Sequence, residues 1–148
     1  MTDLRRLLID VGRVHAHLAA AANIRLRNDL NLSLTLVESM TVMADVDGCR
    51  THDLAAGLGM TSGGASKLVD RLSALGYCRR LPNPGDRRSS LLTLTPSGRR
   101  RLAQAGQVLD EELERLLSPV LSEAQITDFA RTLRALRTPA APPRGPPK

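Results

Sequence analysis

The chain has 148 residues, of which 42% are hydrophobic and 24% charged, and its formal net charge is +6. This length and balance fit one soluble globular domain with a core of its own, and they exclude a disordered chain. No apolar run approaches the ~20 residues that a membrane span needs, and no signal-type apolar block follows the N-terminal MTDLRRLLID, so we expect a cytoplasmic protein without a membrane partner.

The first predicted element is a long helix over residues 4–30. Its apolar residues recur at helical spacing along one stripe: Leu4, Leu7, Leu8, Val11, Val14 and Leu18. A terminal helix of this length cannot cover such a stripe within one small domain, so the pattern favours a partner chain. A second helix follows, in which Thr35 and Glu38 have the spacing of a capping box, and Asp47-Gly48 ends it.

Residues 51–75 have the pattern of a helix-turn-helix. Thr51 is the predicted N-cap of a short helix, and Gly59 permits a sharp turn after it. A longer helix over 61–75 comes next, and its apolar residues share one face: Ala65, Leu68, Val69, Leu72 and Leu75. The opposite face is polar and basic. Two helices joined in this way, the second basic on its outer side, are typical of DNA-binding proteins.

Two short strands over 77–81 and 90–95, with a proline- and glycine-rich turn between them, predict a β-hairpin, and a hairpin directly behind a recognition helix is a wing. The helical pattern returns from Pro96, which suits the first turn of a helix. Ser122 and Gln125 then form a capping box for the last helix. The residues after 137 are rich in proline and predict an extended, disordered tail.

The positive charge is concentrated in one segment. Residues 61–101 contain nine lysines and arginines against two aspartates, whereas the remainder of the chain is close to neutral. This concentration favours a nucleic-acid surface over an ordinary solvated face. Arg99, Arg100 and Arg101 lie at the start of a helix, where cations oppose the helix dipole. For these three residues, phosphate contact and a structural role both remain open.

Five short motifs stand in one order between Asp53 and Gly98: Leu68-Val69-Asp70-Arg71-Leu72, Leu75-Gly76-Tyr77, Arg79-Arg80, Asp86-Arg87-Arg88 and Leu94-Thr95-Pro96-Ser97-Gly98. With them the sequence resembles the MarR family of transcriptional regulators, over roughly residues 4–137. The resemblance implies a homodimer whose first and last two helices interlock. It also implies a recognition helix in the major groove and a wing at the neighbouring minor groove. Asn83 departs from the acidic residue common at the start of the family's wing, and Gly63-Gly64 is an unusual opening for the recognition helix.

The residues expected to contact double-stranded DNA are Thr61, Ser62, Gly63, Gly64, Ser66, Lys67, Arg71, Arg87 and Arg88. The first two are candidate caps that leave backbone N–H groups for a phosphate, and the glycines allow the backbone to approach DNA closely. Lys67 matches the acceptor pattern of guanine, whereas Arg71 suits a phosphate. The wing arginines suit a narrow minor groove, and Asp86 is expected to orient one of them.

Catalytic and metal sites are not expected, because the histidines and cysteines lack HExxH and CxxC spacing. No cofactor is expected either. Cys78 lies in an apolar strand and is interpreted as a small buried hydrophobe. Cys49 lies beside Arg50, which would lower the thiol pKa. Redox sensing by Cys49 is therefore an alternative to an inert role.

The predicted fold is mainly α with a small β-hairpin wing, an α+β winged helix-turn-helix with interlocking terminal dimerisation helices. The dimerisation region comprises 1–34 and 96–137, the winged helix-turn-helix comprises 35–95, and the disordered tail comprises 138–148. The residues predicted at the dimer interface are Leu4, Leu8, Val11, Leu117, Ile126, Phe129 and Leu133.

The function predicted from these features is a non-enzymatic, sequence-specific transcriptional regulator. It would act as a repressor that binds a pseudo-palindromic operator as a homodimer. The alternatives are a winged-helix module for protein interaction and a non-specific DNA-binding protein. The resemblance implies an effector pocket where the dimer helices meet the winged domain, but the effector and its residues stay open. Met40 and Met43 are better explained as helix core than as pocket lining.

Overall fold

The computed structural model describes residues 3–137, which form six α-helices and one antiparallel β-hairpin. The predicted mainly α class with a hairpin wing is confirmed. The predicted tail over 138–148 lies outside the described residues. The chain divides into two compact units, one ending at Leu113 and the other beginning at Glu114. In chain order the elements are α1 (Leu4–Leu30), α2 (Leu34–Asp45), α3 (Thr51–Leu58), α4 (Ser62–Ala74), β1 (Cys78–Pro82), β2 (Ser90–Leu94), α5 (Pro96–Leu117) and α6 (Glu123–Arg137).

The core of the first unit lies among α2, α3, α4 and the hairpin, with the C-terminal half of α1 and part of α5 packed against it. Its fully buried side chains include Leu26, Leu36, Met40, Leu54, Val69, Leu72, Leu94 and Ala105. The assignment of both α2 methionines to the core is confirmed, since Met43 is also buried. Leu68 is only partly buried and packs at the edge of this cluster. The winged region therefore covers its apolar residues within one chain.

The start of α2 differs from the predicted capping box. Ser33, rather than Thr35, is the N-cap, and its hydroxyl accepts a hydrogen bond from the Leu36 N–H at 3.3 Å. The side chain of Asn23 in α1 accepts from the Leu34 N–H at 2.8 Å. A contact from another helix thus supports the first turn of α2, and the prediction based on Thr35 and Glu38 was wrong because it used local spacing alone.

The start of α3 also differs by one residue. Arg50 is the N-cap and Thr51 is already helical, while the Asp53 carboxylate accepts from the Arg50 N–H at 2.9 Å. At the last helix, by contrast, the predicted capping box is confirmed. The Ser122 N–H donates to Oε1 of Gln125 at 2.9 Å, and the Gln125 N–H donates to Oγ of Ser122 at 3.4 Å.

The hairpin pairs Cys78 with Leu94 at its base and Pro82 with Ser90 at its outer end, so β1 lies one residue later than predicted. The strand geometry is set at the base, where Tyr77 O accepts from the Thr95 N–H at 3.0 Å. Gly98 packs so closely on Tyr77 that an added Cβ would lie 2.8 Å from the Tyr77 carbonyl carbon. A steric requirement thus connects the Gly-Tyr and Leu-Thr-Pro-Ser-Gly motifs.

Two arginines connect α1 with α5 inside the first unit. The Arg101 guanidinium donates from Nη2 to Leu30 O at 2.7 Å. This carbonyl belongs to the last turn of α1, where carbonyls have no partner within the helix. Arg25 of α1 forms ion pairs with Asp29 at 2.7 Å and with Glu111 of α5 at 3.3 Å. For Arg101, the structural role that the sequence left open is the one observed.

Along the described part of the chain, no helix combines the length and the apolar character required to cross a bilayer.

Candidate nucleic-acid interface

The recognition helix α4 has an apolar inner face and a polar outer face. Ala65, Val69 and Leu72 are buried on the inner face. The Thr61 hydroxyl accepts from the Gly64 N–H at 3.1 Å, so Thr61, and not Ser62, is the N-cap among the two candidates that the sequence offered. Because this hydroxyl already accepts an N–H group of its own helix, Thr61 contributes to the surface mainly by fixing where α4 begins.

The outer face of α4 presents most of the predicted DNA-contacting residues to solvent. Ser62, Gly63, Lys67 and Arg71 are exposed, whereas Gly64 and Ser66 are half-buried. A Cβ added at Gly63 would have no atom within 4 Å, while one at Gly64 would lie 3.3 Å from Oγ1 of Thr61. Gly63 is therefore not required by packing within this chain, a result consistent with a requirement from outside it.

The wing tip over residues 83–89 is held by its own polar side chains. Asp86 accepts from the Arg88 N–H at 2.9 Å and from the Ser89 hydroxyl at 3.1 Å. Asn83 accepts from the Gly85 N–H at 3.1 Å, and its Nδ2 donates to Oγ of Ser89 at 3.0 Å. The amide both accepts and donates here, which an ionised acidic residue could not do. Asn83 therefore stabilises the tip although the family commonly has an acidic residue at this position.

Arg87 and Arg88 are both exposed on this tip. The contact of Asp86 with Arg88 is made to the backbone N–H rather than to the guanidinium. Asp86 thus fixes the path of the chain from which the arginine side chain projects. Its predicted part in orienting a wing arginine toward DNA stays a prediction, and its observed geometry acts through the turn.

Polar contacts join the wing to the helix-turn-helix. Arg80 of β1 forms an ion pair with Asp70 on the outer face of α4, with Nη2 and Oδ1 2.8 Å apart. The Leu92 N–H of β2 donates to Cys49 O in the segment before α3 at 2.7 Å. The base of the wing is therefore bonded to α4 and to the segment that precedes α3.

Sequence reasoning missed three residues that the fold brings beside Arg88. Arg80 was quoted only as part of a motif, and Arg50 and His52 were treated as neighbours of Cys49 or as isolated residues. The structure places all three at one recess with Arg88, next to the wing. The sequence carried only a weak signal for this recess, namely a cation such as Arg50 outside residues 61–101.

The two cysteines are both buried. Burial raises the pKa of the Cys49 thiol, and the charge of Asp53 raises it further. The expectation that Arg50 lowers this pKa was wrong, because Cys49 is inside the core while Arg50 points to solvent. Burial also raises the pKa of Cys78, against an opposing hydrogen bond from Ser73. The interpretation of Cys78 as a small buried hydrophobe is confirmed.

The predicted interface residues occupy apolar surfaces of their own helices. On α1, Leu4, Leu8 and Val11 are exposed, with Leu8 75% accessible. On α6, Phe129 and Leu133 are exposed and Ile126 is half-buried, while Leu117 near the end of α5 is half-buried. Within residues 3–137 no three metal-ligating side chains lie together.

A model of the MarR family matches residues 40–89. The Multiple antibiotic resistance protein MarR of Salmonella typhimurium is 31% identical over 90 residues, which are 60% of this chain and 62% of that protein, less than two thirds of its length. The protein of the same name from Escherichia coli K12 is 27% identical over 137 residues, 90% of this chain and 94% of that one. These matches support a winged-helix regulator of the MarR family.

Solved structures of MarR-type proteins share the fold. A MarR-family regulator from Rhodococcus sp. RHA1 superposes with a TM-score of 0.84 at 21% identity, covering 95% of this chain and 98% of that one. The repressor CouR bound to a 23-mer DNA duplex superposes with a TM-score of 0.76 at 22% identity over 86% and 89% of the two chains. CouR of Rhodococcus jostii RHA1 bound to p-coumaroyl-CoA gives 0.75 at 23% identity over 89% and 92%.

Proposed function

We propose that this MarR-family chain is a sequence-specific, non-enzymatic DNA-binding transcriptional regulator that acts as a homodimeric repressor. The observation that carries the proposal is the exposed basic face of α4, held in one unit with an arginine-tipped wing. These two surfaces are bonded through Arg80 to Asp70 and through Leu92 to Cys49. A recognition helix and a wing with a fixed relative position can contact two adjacent grooves of one duplex.

In the major groove, Lys67 contacts guanine O6 and N7. Ser66, one residue earlier on the same face, discriminates less well between bases. Arg71 and the N–H groups at Ser62 and Gly63 contact phosphates, which position the helix without reading sequence. The exposed position of Lys67 on the outer face supports this assignment.

In the minor groove, Arg87 or Arg88 of the wing is attracted by the negative potential of a narrow groove. The hydrogen bonds of Asp86 and Asn83 support this role because they order the tip before DNA is bound. Less conformational entropy is then lost on binding than with a free loop.

Dimerisation is proposed from the apolar surfaces of the terminal helices. Leu4 and Leu8 on α1 and Phe129 and Leu133 on α6 are large apolar residues in contact with solvent. A two-fold dimer buries the same surface of each subunit. It would also present two recognition helices to half-sites about one helical turn apart, which is the reason to expect a pseudo-palindromic operator.

A small-molecule effector is proposed to control this repressor. A cavity of about 620 Å³ lies behind the wing, and apolar side chains line most of it, with Arg99 as the cation. Its size is within the range of small-molecule sites, and the related CouR is bound to p-coumaroyl-CoA. Met43 lines the cavity while its side chain stays mostly buried. Asp47 lines it as well as Arg99, so a mostly apolar molecule is the matching ligand.

The decisive experiment is selection of bound sequences from a random duplex pool by the full chain, followed by affinity measurements on the recovered site. We expect a palindromic site that is bound about 10³-fold or more tightly than random duplex at equal salt. A ratio near unity would indicate the non-specific DNA-binding alternative. No binding to any duplex at low ionic strength would leave the protein-interaction alternative.

A further inference from the structure

A cationic recess of about 410 Å³ lies between the start of α3 and the wing. Its lining consists of Arg50, Thr51, His52, Arg80, Arg88, Ser89 and Ser90. These residues bring three guanidinium groups, one imidazole and three hydroxyls together, and no carboxylate belongs to the lining. Every ionisable side chain of the recess is thus either a cation or a histidine, and all of these are exposed to solvent.

Two of the arginines form ion pairs with carboxylates that lie next to the recess but do not line it. Arg80 is paired with Asp70 at 2.8 Å and Arg50 with Asp53 at 3.5 Å. The Asp70 side chain is 68% exposed, so its ion pair contributes only about 0–1 kcal/mol. A guanidinium has five N–H donors in a rigid fork. Each pair therefore orients an arginine only weakly and leaves further donors for a ligand.

The backbone around the recess is fixed on both sides. The hydrogen bond from Leu92 N–H to Cys49 O holds the segment before α3 against β2. The pairing of Leu81 with Leu91 and of Pro82 with Ser90 holds the hairpin. The Ser89 hydroxyl is in turn hydrogen-bonded to Asp86 and Asn83. The recess is therefore assembled before any ligand arrives.

We propose that this recess binds one backbone phosphate of the DNA duplex, and that Arg50 and Arg80 are the residues that position it. The inference rests on the proposed function, which it extends beyond α4 and the wing tip to the start of α3. Arginine forks match the geometry of phosphate oxygens, and charge-assisted hydrogen bonds of this kind are about twice as strong as neutral ones. The exposure of all the cationic groups suits a polymer better than an enclosed small anion.

A phosphate contact carries no sequence information. Its loss therefore weakens operator and random duplex by the same factor, unlike the loss of a base contact by Lys67. The recess would fix the register of the wing along the backbone, while α4 reads the bases.

The test compares the salt dependence of duplex binding for the wild type and an Arg50→Gln/Arg80→Gln variant. Neutralising one phosphate per subunit contributes a slope of about 0.9 in log K against log salt, so the dimer variant should lose about twice that. Arg50→Lys/Arg80→Lys keeps the charge and should keep most of the slope. Arg131→Gln is the matched control, since Arg131 is an exposed arginine paired with Asp128 at 3.0 Å, on α6, and its slope should stay that of the wild type.

A second measurement locates the phosphate on the duplex. Each backbone phosphate of the operator is replaced in turn by an uncharged methylphosphonate. We expect one position in each half-site at which the wild type loses affinity and the Gln variant does not. If the double variant fails to fold, the same scan with Arg50→Gln and Arg80→Gln separately identifies the phosphate.

The outcomes separate this inference from the proposed function. A wild type that binds no duplex would refute both. A wild type that binds its operator, with an unchanged slope in the Gln variant and no coupled phosphate in the scan, would overturn the recess alone. Calorimetry with inorganic phosphate tests the other source of the same chemistry, and saturable binding of free phosphate together with an unchanged duplex slope would also overturn it.

Discussion

The winged region and the terminal helices differ in how far their apolar side chains are exposed to solvent. In the winged region, the leucines and methionines of α2, α3 and α4 are buried or partly buried by other elements of the same chain. Leu4 and Leu8 of α1 and Leu136 of α6 are more than 70% exposed, at 73%, 75% and 78%. The winged region buries most of its apolar residues within one chain, whereas the terminal helices expose large apolar residues, which is the basis for proposing an interface there.

This difference separates two kinds of mutation. Changes in the winged region should alter folding or DNA contact within each subunit. Changes on the exposed stripes should leave the subunit folded and alter only its association.

Leu133→Glu on α6 should abolish the dimer. Burying a carboxylate in an apolar interface is costly, and since both subunits carry the change we expect a loss of about 4 kcal/mol or more in dimerisation free energy. Sedimentation should show a folded monomer with normal circular dichroism. Ala135→Glu is the control, because residue 135 lies on the opposite side of α6 from Leu133. A Leu133→Glu variant that still sediments as a dimer would remove α6 from the interface.

Gly98→Ala should destabilise the first unit by about 3 kcal/mol, since the new methyl group would overlap the Tyr77 carbonyl. Urea denaturation measures the change. Gly106→Ala on the same helix is the matched control: a Cβ there has no neighbour within 4 Å, so stability should rise by up to about 1 kcal/mol. Equal stability of the two variants would show that the contact with Tyr77 is easily relieved.

Lys67→Ala should reduce operator affinity by about 2 kcal/mol and random-duplex affinity by less, because it removes a base contact together with a charge. Fluorescence anisotropy on the two duplexes at one salt concentration gives both numbers. Lys67→Arg is the control and should retain guanine preference. Unchanged affinity of the Ala variant for its operator would refute the placement of α4 in the groove.

Gly63→Ala should separate stability from DNA binding. A Cβ at this position would have no other atom within 4 Å. The free energy of unfolding should therefore stay equal or rise by up to about 1 kcal/mol, which thermal denaturation measures. The same Cβ would stand between the backbone and the duplex, so operator affinity should fall. If affinity stays at the wild-type value, close approach at Gly63 is not required.

The smallest effect is expected for the thiols. Burial raises the pKa of Cys49 and of Cys78, so the folded chain keeps both protons to higher pH than the unfolded chain does. Their contribution to stability is therefore complete at neutral pH and declines above the ordinary thiol range. Native protein should react with a disulfide reagent far more slowly than denatured protein at pH 7. Rapid labelling of native Cys49 would contradict its burial.

The sequence predicted the elements whose signals are local. The cap of α4 was narrowed to Thr61 or Ser62 because the hydroxyls, the glycine turn and the helical stripe are close together in the chain. Ser122 and Gln125 were recognised for the same reason, as was the hairpin from its turn cluster. The resemblance of the motifs from Leu68 to Gly98 added the order of elements.

Predictions that depended on distant contacts were less successful. The start of α2 depends on Asn23, a residue of another helix. The burial of Cys49 depends on the hydrogen bond between its carbonyl and Leu92, in a strand far along the chain. The recess beside Arg88 could not be predicted either, because Arg50 and Arg80 become neighbours only when the wing packs against α3.

The hydrogen bond between Leu92 and Cys49 has a mechanical consequence. It extends the hairpin by one strand-like contact to the segment before α3, and together with the Arg80–Asp70 ion pair it holds the wing against the helix-turn-helix. The relative position of the wing and α4 then stays the same when the half-sites of an operator lie closer together or farther apart. In the proposed dimer, tolerance of different half-site spacings would then come from the contact between the two subunits.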